Sequence, residues 1–335
     1  MRPILEIKPL LENAPGKITI TMHQKPDADA MGASLALYHY LLQKGHTVQV
    51  ISPTNFPDFL KWMPGCDRVI NFEADQAFAL EALKDTRILF CLDFNTFRRT
   101  HQLAPHLEQL NCVKALIDHH QEPDPAFDYG ISNTAAAATA QLIYEFIVAM
   151  GDSALINGDI ARCIYAGTMT DTGSFRFAST SAAVHRMVAD LMDRGLEHEP
   201  IHHSIYDNYL ENRFRFIGYV LQNRFEVFYD YNTAMIAIPH KDIKRFDLKT
   251  GDTEGLVNYP LAIQGIRLAA LIIGWENDVK LSFRSKGDFD VNRFARRYFQ
   301  GGGHKNAAGG HSQDSLADTV ERFKQAIREN KDLLK

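Results

Sequence analysis

The sequence predicts an α/β protein, a doubly wound and mostly parallel sheet linked by helices to a smaller α/β domain. Three observations predict it. Apolar strand-like runs alternate with helical runs through the first half of the chain, the pattern of a parallel sheet covered on both faces. Helical periodicity then dominates from Thr134 to about Asn223. Beyond Asn223 the pattern turns to short strands, hairpin signals and a glycine-rich stretch. At 335 residues the chain exceeds the size at which a single core tends to divide, so two domains are expected. The pattern places them at 1–190 and 224–335, with a helical connector over 191–223.

Each element has its own signal. "KITITMH" (17–23) reads as a buried strand. After it, Ala33, Leu35, Ala36, Leu37, Leu41 and Leu42 recur at helical spacing, and Gly45 supplies a C-cap. "TVQVIS" is a strand, a Pro/Gly-punctuated helix runs through Trp62, "RVINF" is a strand and Gln76 to Leu83 a helix. "RILFCLD" and "VKALIDHH" are continuous apolar strands with polar ends. The helices that follow are "NTAAAATAQLIYEFIVAMG", "GDIARCIYAGTMTDTG" and "SAAVHRMVADLMDRG", with two more around His202 and Phe216. In the last third, "RFEVFYDYNTAMIAIP" is a hairpin turning at Asp230 to Asn232, and "IRLAALIIGW" and "DVKLSFRS" are further strands. A glycine-rich loop, "GGGHKNAAGGH", then precedes a closing amphipathic helix, "LADTVERFKQAIREN".

Composition narrows the function classes. A net charge of −5 argues against the global basic field that drives binding to long duplex DNA, so phosphate must be handled locally. Cys66, Cys91, Cys112 and Cys163 form no C-x-x-C pair, which argues against a zinc knuckle or disulfide framework. The N-terminus lacks a signal-peptide core, and "AAAATAQLIYEFIVAM" is interrupted by Gln141 and Glu145, so no membrane association is expected and the expected location is the cytoplasm.

The distinctive feature is where carboxylates and imidazoles fall. His23 ends one predicted strand, and Asp27 and Asp29 follow in the turn. Asp93 ends a second strand, and Asp118, His119 and His120 end a third. In a doubly wound sheet these carboxyl-terminal strand ends share one edge, where ligands bind. Asp171, in "GTMTDTGSF", can return to the same edge. Taken singly, a strand-terminal aspartate is often a helix N-cap. Taken together, so many like charges raise one another's pKa strongly unless cations separate them. Divalent ions accept mixed carboxylate and imidazole donors, and one bridging carboxylate can hold two of them about 3.5–4 Å apart.

With these residues in place, the chain resembles the DHH phosphoesterase superfamily. The four ordered motifs are "HQKPDADAMGAS", "LDFN", "IDHH" and "TDTGSF", and "GGGH" with the following "AAGG" resembles the DHH-associated domain. The layout is similar to the compact nanoRNase branch, the bifunctional oligoribonuclease and pAp phosphatases. The resemblance implies two divalent metal ions, Mn²⁺ first, with Mg²⁺ or Co²⁺ as alternatives. It assigns His23, Asp27 and Asp93 to one ion, and Asp29, Asp93, His119 and Asp171 to the other, with Asp93 bridging. His120 is implied at the scissile phosphate or the leaving oxygen, and Asp118 as the group that orients an imidazole.

Substrate contacts are expected from Arg284 and Ser285 in "SFRS", from Gly301, Gly302, Gly303 and His304, and from Arg99 in "DFNTFRRT". The expected activity is hydrolysis of short single-stranded RNA to 5′-mononucleotides, and of pAp to AMP and phosphate, in a cleft between the domains. Alternatives are a phosphodiesterase for cyclic dinucleotides or for linear pApA and pGpG, and a non-catalytic nucleotide-binding regulator. A homodimer is compatible with the resemblance.

Overall fold

In the computed structural model, residues 1–13, 16–248, 251–276 and 278–335 are described. They divide into two compact units, Met1–Asn208 and Tyr209–Lys335, the division falling inside the segment 191–223. The first unit is built on a seven-stranded parallel sheet: β1 (Arg2–Pro3), β2 (Lys17–Thr21), β3 (Thr47–Ser52), β4 (Ile70–Asn71), β5 (Ile88–Leu92), β6 (Val113–Asp118) and β7 (Tyr129–Ser132). Their spatial order is β1-β7-β6-β5-β2-β3-β4. From β2 the chain winds outward to β3 and β4, then returns to β5 and winds the other way, so β2 and β5 are neighbours at the topological switch point.

Helices cover both faces: α1 (Lys8–Glu12), α2 (Ala28–Gln43), α3 (Gln76–Leu83), α4 (Ala104–Glu108), α5 (Thr139–Ala149), α6 (Gly158–Asp171), α7 (Ala182–Asp193) and α8 (Glu199–Tyr206). The fully buried β5 shows why its sequence is continuously apolar. Ile88, Phe90 and Leu92 face the core formed with α2, α5 and α6, while Leu89 and Cys91 face the core formed with α3 and α4. Helix α2 is buried along most of its length, which explains its apolar character all round.

Helix α2 lies against α6 at unusually short range. A Cβ on Gly32 would collide with the Cys163 carbonyl oxygen, and one on Gly167 would stand 2.8 Å from Ala140 Cβ and 2.9 Å from Asp29 Oδ1. Glycine is required at both positions by space, since any side chain would separate the helices.

The second unit holds a six-stranded sheet in the order β12-β13-β11-β10-β9-β8. The strands are β8 (Phe225–Phe228), β9 (Thr233–Ile238), β10 (Leu268–Gly274), β11 (Val279–Ser285), β12 (Gly302–His304) and β13 (Ala307–Ser312). β9 and β10 are parallel, and the other pairs are antiparallel. Its helices are α9 (Glu211–Asn223), α10 (His240–Arg245), α11 (Val291–Tyr298), α12 (Leu316–Glu329) and α13 (Lys331–Leu334). Met235, Ala270, Leu281 and Phe283 pack toward α11 and α12, and Ile236, Ala269, Leu271 and Ile273 toward α9 and α10.

Several expectations change in detail. The helix through Trp62 is two short 3-10 turns, Asp58–Leu60 and Cys66–Arg68, because Pro57, Pro64 and Gly65 interrupt it. "NTAAAATAQLIYEFIVAMG" becomes helical only at Thr139. "GGGHKNAAGGH" is the β12–β13 hairpin rather than a loop. The structure adds the short strand β7 and helix α11 to the expected elements.

Replacing Gly32 by Ala should destabilise the protein by about 1–3 kcal/mol, since the added methyl can be housed only by separating α2 from α6. Urea unfolding of the metal-free variant measures this; an unchanged midpoint would contradict the close approach.

Candidate metal centre and active site

The strand ends at the switch point deliver most of the site. His23 follows β2, Asp93 follows β5, and Asp118, His119 and His120 lie at and beyond the end of β6. Asp93 has φ 62, a left-handed conformation that aspartate tolerates better than most residues. Its two oxygens face different imidazoles. Oδ2 lies 3.2 Å from His23 Nε2, and Oδ1 lies 3.4 Å from His119 Nε2. Oδ1 also accepts a hydrogen bond from the Thr139 hydroxyl at 3.0 Å.

Each imidazole is oriented from behind. His23 Nδ1 lies 2.8 Å from the Gln24 carbonyl oxygen, which can only accept, so Nδ1 carries the proton and Nε2 faces the carboxylates. His119 Nδ1 points in the same way at the Ala136 carbonyl, and its Nε2 lies 3.6 Å from Asp29 Oδ2 and 3.4 Å from Asp171 Oδ2. His120 Nδ1 is 2.7 Å from Asp118 Oδ1. The other oxygen of Asp118, Oδ2, is buried with no hydrogen-bond partner among the described residues.

The two aspartates of the first turn have divided tasks. Asp27 is the N-cap of α2; its Oδ1 accepts from the Asp29 and Ala30 backbone N–H groups at 3.0 Å, while Oδ2 lies 3.8 Å from His23 Nε2. Asp29 is fully buried and caps a different helix. Its oxygens accept from the Thr139 N–H at 2.6 Å and the Ala140 N–H at 2.8 Å, the first turn of α5. The N-terminal end of a helix favours a negative charge, so α5 offsets part of the charge of Asp29. Asp171 ends α6, and the chain beyond it makes a left-handed turn, with positive φ at Gly173, Ser174 and Phe175 in succession.

The electrostatics follow from this crowding. Burial pushes the Asp29 carboxyl up to about 8, with Asp93 and Asp27 adding to it. Burial and the charges of Asp29 and Asp27 likewise hold Asp171 well above the ordinary range. Burial opposes the charge on Asp93, yet hydrogen bonding with His119 and His23 outweighs it and holds that carboxyl well below the usual range. Burial works against a charged His119, but Asp93, Asp171 and Asp29 overcome it and raise the imidazole to about 10. His120 is lowered by burial and by the Arg99 charge.

The donors fit a pair of cations. The ligand atoms of His23, Asp27 and Asp93 lie within 4.8 Å of one another, as do those of Asp29, His119 and Asp171. Oxygen donors mixed with imidazole nitrogens suit hard or intermediate divalent ions. With one Asp93 oxygen turned to each set, that carboxylate is placed to be shared.

Residues 17–168 match the DHH family, N-terminal domain, and residues 232–331 match the DHHA1 domain. An exopolyphosphatase-related protein from Bacteroides fragilis has the same fold, with a TM-score of 0.93 and 36% identity over 98% of this chain and 97% of that one. The chain belongs to the DHH family. Among curated relatives of this DHH protein, the bifunctional oligoribonuclease and PAP phosphatase NrnA of Thermus thermophilus is 28% identical over 331 residues, covering 98% of this chain and 94% of its own. The Bacillus subtilis protein of the same name is 26% identical over 294 residues, covering 87% and 88%. The D-H-H triplet is Asp118, His119 and His120, where β6 ends.

The fold thus brings together His23, Asp27, Asp29, Asp93, His119, His120 and Asp171. Arg99 is beside them, its guanidinium donating to the Asp93 carbonyl at 3.2 Å. The remaining candidates lie in the second unit. Arg284 and His304 are both in register with Ala307, on the two sides of β13. The Ser285 hydroxyl donates to the Phe289 carbonyl and accepts from the Asn306 side chain, so it ties a turn. The Gly303 N–H donates to Asn292 Oδ1, and a Cβ on Gly301 would strike the Gly309 carbonyl, so these two glycines serve packing. Sequence reasoning missed Thr139, whose hydroxyl and N–H hold both central carboxylates. Its one signal is the run of alanines before it, small enough to let the α5 N-terminus approach Asp29.

In metal-free protein, Asp29 and His119 both bind protons more tightly folded than unfolded. Their contribution to stability is present at low pH and is lost as pH rises, for Asp29 between about 4 and 8 and for His119 toward 10. The melting temperature in EDTA should therefore fall from pH 6 to pH 8, and the rise on adding Mn²⁺ should be larger at pH 8. Thermal denaturation at the two pH values checks both signs.

Proposed function

We propose that this DHH-family phosphoesterase hydrolyses short oligoribonucleotides to 5′-mononucleotides, and pAp to AMP and phosphate, with two Mn²⁺ ions. The observation that carries the reading is the divided carboxylate of Asp93, one oxygen toward His23 and the other toward His119. The substrate class is supported by similarity along almost the whole chain to proteins named oligoribonuclease and PAP phosphatase.

In this reading His23, Asp27 and Asp93 hold one ion, and Asp29, Asp93, His119 and Asp171 the other. Bound divalent ions supply Lewis acidity toward phosphoryl oxygens and lower the pKa of water toward neutrality. The chain's own part is to orient and to move a proton. The Gln24 and Ala136 carbonyls fix the tautomers of His23 and His119, so each presents Nε2. Asp118 holds the proton on His120 Nδ1, which leaves proton exchange with the leaving oxygen to Nε2. Arg99 adds a positive charge beside His120 that can meet a phosphate oxygen. Arg284 and His304 bind the nucleotide.

The test is turnover by metal-stripped protein given back Mn²⁺, on pAp, pApA, a five-nucleotide RNA, cyclic di-AMP and polyphosphate. Mononucleotide release from the linear substrates supports the proposal. Hydrolysis of polyphosphate alone, or tight binding without turnover of anything, sinks it. Asp93→Ala should lower kcat at least about 100-fold, because both ion sites lose a ligand. Asp118→Asn should cost about 10- to 100-fold and displace the pH–rate profile, since a neutral amide favours a protonated His120 far less than a carboxylate does.

A further inference from the structure

The segment that runs into α5 braces one of the two donor sets rather than both. The Ala136 carbonyl faces His119 Nδ1, and the N–H groups of Thr139 and Ala140 donate to Asp29 Oδ2 and Oδ1 at 2.6 Å and 2.8 Å. The Thr139 hydroxyl donates at 3.0 Å to Asp93 Oδ1, the oxygen that faces His119. Asp93 Oδ2, the oxygen that faces His23, lies on the other side of that carboxylate. His23 is oriented by the Gln24 carbonyl, and Asp27 by the backbone of its own helix α2. The bonds from 136–140 therefore fall on His119, Asp29 and the near oxygen of Asp93.

The Thr139 hydroxyl is the one side-chain group among these contacts; the others are backbone. Thr139 and Asp29 are both fully buried. A threonine at the start of a helix commonly bonds the backbone of its own turn. This hydroxyl instead crosses to a carboxylate 46 residues earlier in the chain. Helix α5 takes its anionic cap from Asp29, since its own N-cap residue is Ala138. The crossing bond has a use at Asp93. The last torsion of an aspartate is broad and does not set the carboxyl plane by itself. In the two-ion reading His23 and His119 give their Nε2 atoms to the ions, which leaves the Thr139 hydroxyl to fix that plane.

We propose that Thr139 is a positioning residue for one ion only. Its hydroxyl holds Asp93 Oδ1 on the side of Asp29, His119 and Asp171. Losing it weakens the ion of that set and spares the ion of His23, Asp27 and Asp93 Oδ2. The inference rests on the two-ion reading above. A bond to one oxygen of a shared carboxylate acts mainly on the ion nearest that oxygen. Groups that orient a metal ligand from behind are typically worth about 10- to 100-fold in metal affinity. Thr139→Val isolates the effect, because it keeps the β-branched shape and the N–H bond to Asp29 while removing the hydroxyl. Thr139→Ser keeps the hydroxyl and loses the methyl.

The experiment is a Mn²⁺ titration of metal-stripped protein, followed by the loss of the free-ion electron paramagnetic resonance signal. Wild type should take up two ions. In Thr139→Val one of them should bind about tenfold more weakly and the other within about twofold of wild type. Thr139→Ser should recover most of the loss. Thr139→Ala is a second hydroxyl-free variant, so if the metal-free melting temperature reveals a folding defect in one, the other decides. Combining Thr139→Val with Asp27→Asn or with Asp171→Asn identifies the ion. The hydroxyl should matter about tenfold for the ion that remains when Asp27 is replaced, and not for the one that remains when Asp171 is replaced. Unchanged affinities, equal weakening of both ions, or a loss confined to the His23 set overturns the positioning role and leaves the two-ion reading intact. Wild type that takes up fewer than two ions overturns that reading and the inference with it.

Discussion

Asp27, Asp29, Asp93 and Asp171 are drawn to two imidazoles in a single small volume, and their mutual repulsion is the constraint on which the rest of the first unit depends. Two like charges about 4 Å apart at an effective dielectric of about 20 repel by roughly 4 kcal/mol. The protein answers this in several ways at once. It lends the N-terminus of α5 to Asp29, places Thr139 on Asp93 and directs two Nε2 atoms at the carboxylates. These offsets are partial, which is why Asp29 and Asp171 hold protons so readily and His119 remains an imidazolium to high pH. A divalent ion held by each set would take the place of those protons, and the same geometry would then suit ionised carboxylates.

Holding charges together needs a rigid frame, and the frame is the contact of α2 with α6. Asp29 lies on the first turn of α2 and Asp171 at the last residue of α6. The distance between them is thus fixed by how closely the two helices approach at Gly32 and Gly167. The apolar load that resists the repulsion is large, because α2 is buried on nearly every side and α5 and α6 share its core. The ends of the neighbouring strands β2, β5 and β6 add His23, Asp93 and His119. The site is therefore a consequence of topology as much as of motif.

Most of this was legible from the sequence, for identifiable reasons. Long apolar strands such as β5 and β6 declare themselves because both faces are buried, and a carboxylate or imidazole just past such a strand marks the ligand edge. The six side chains expected around the ions lie together, with His120 beside them. What was not legible depends on tertiary partners. Nothing local says that Asp29 caps a helix 110 residues away, or that "NTAAAATAQ" delays its helix until Thr139 so that this cap can form. The two-residue β1 and four-residue β7 are too short to show a period, and each is a strand only because a neighbour pairs with it. The division of the chain between Asn208 and Tyr209 is likewise a matter of which core α8 and α9 join.

The glycine-rich stretch shows how one composition can serve two purposes. Read as a loop, its glycines look like flexibility or room for a ligand. As a hairpin it alternates, and the two faces differ. Gly310 faces inward, where a Cβ would stand 2.8 Å from the Phe299 carbonyl oxygen, and Gly301 is pressed against Gly309 and Ala295. These positions are glycine because the hairpin packs close to α11. Gly309 and Ala307 face the other way, where the nearest atom to a Cβ on Gly309 is the Leu281 carbonyl oxygen at 3.7 Å, an ordinary contact. Packing does not demand a small residue there. Smallness on that face keeps the strand low between Arg284 and His304, which flank Ala307 from its two sides, so the same hairpin is close-packed on one face and unconstrained by packing on the other.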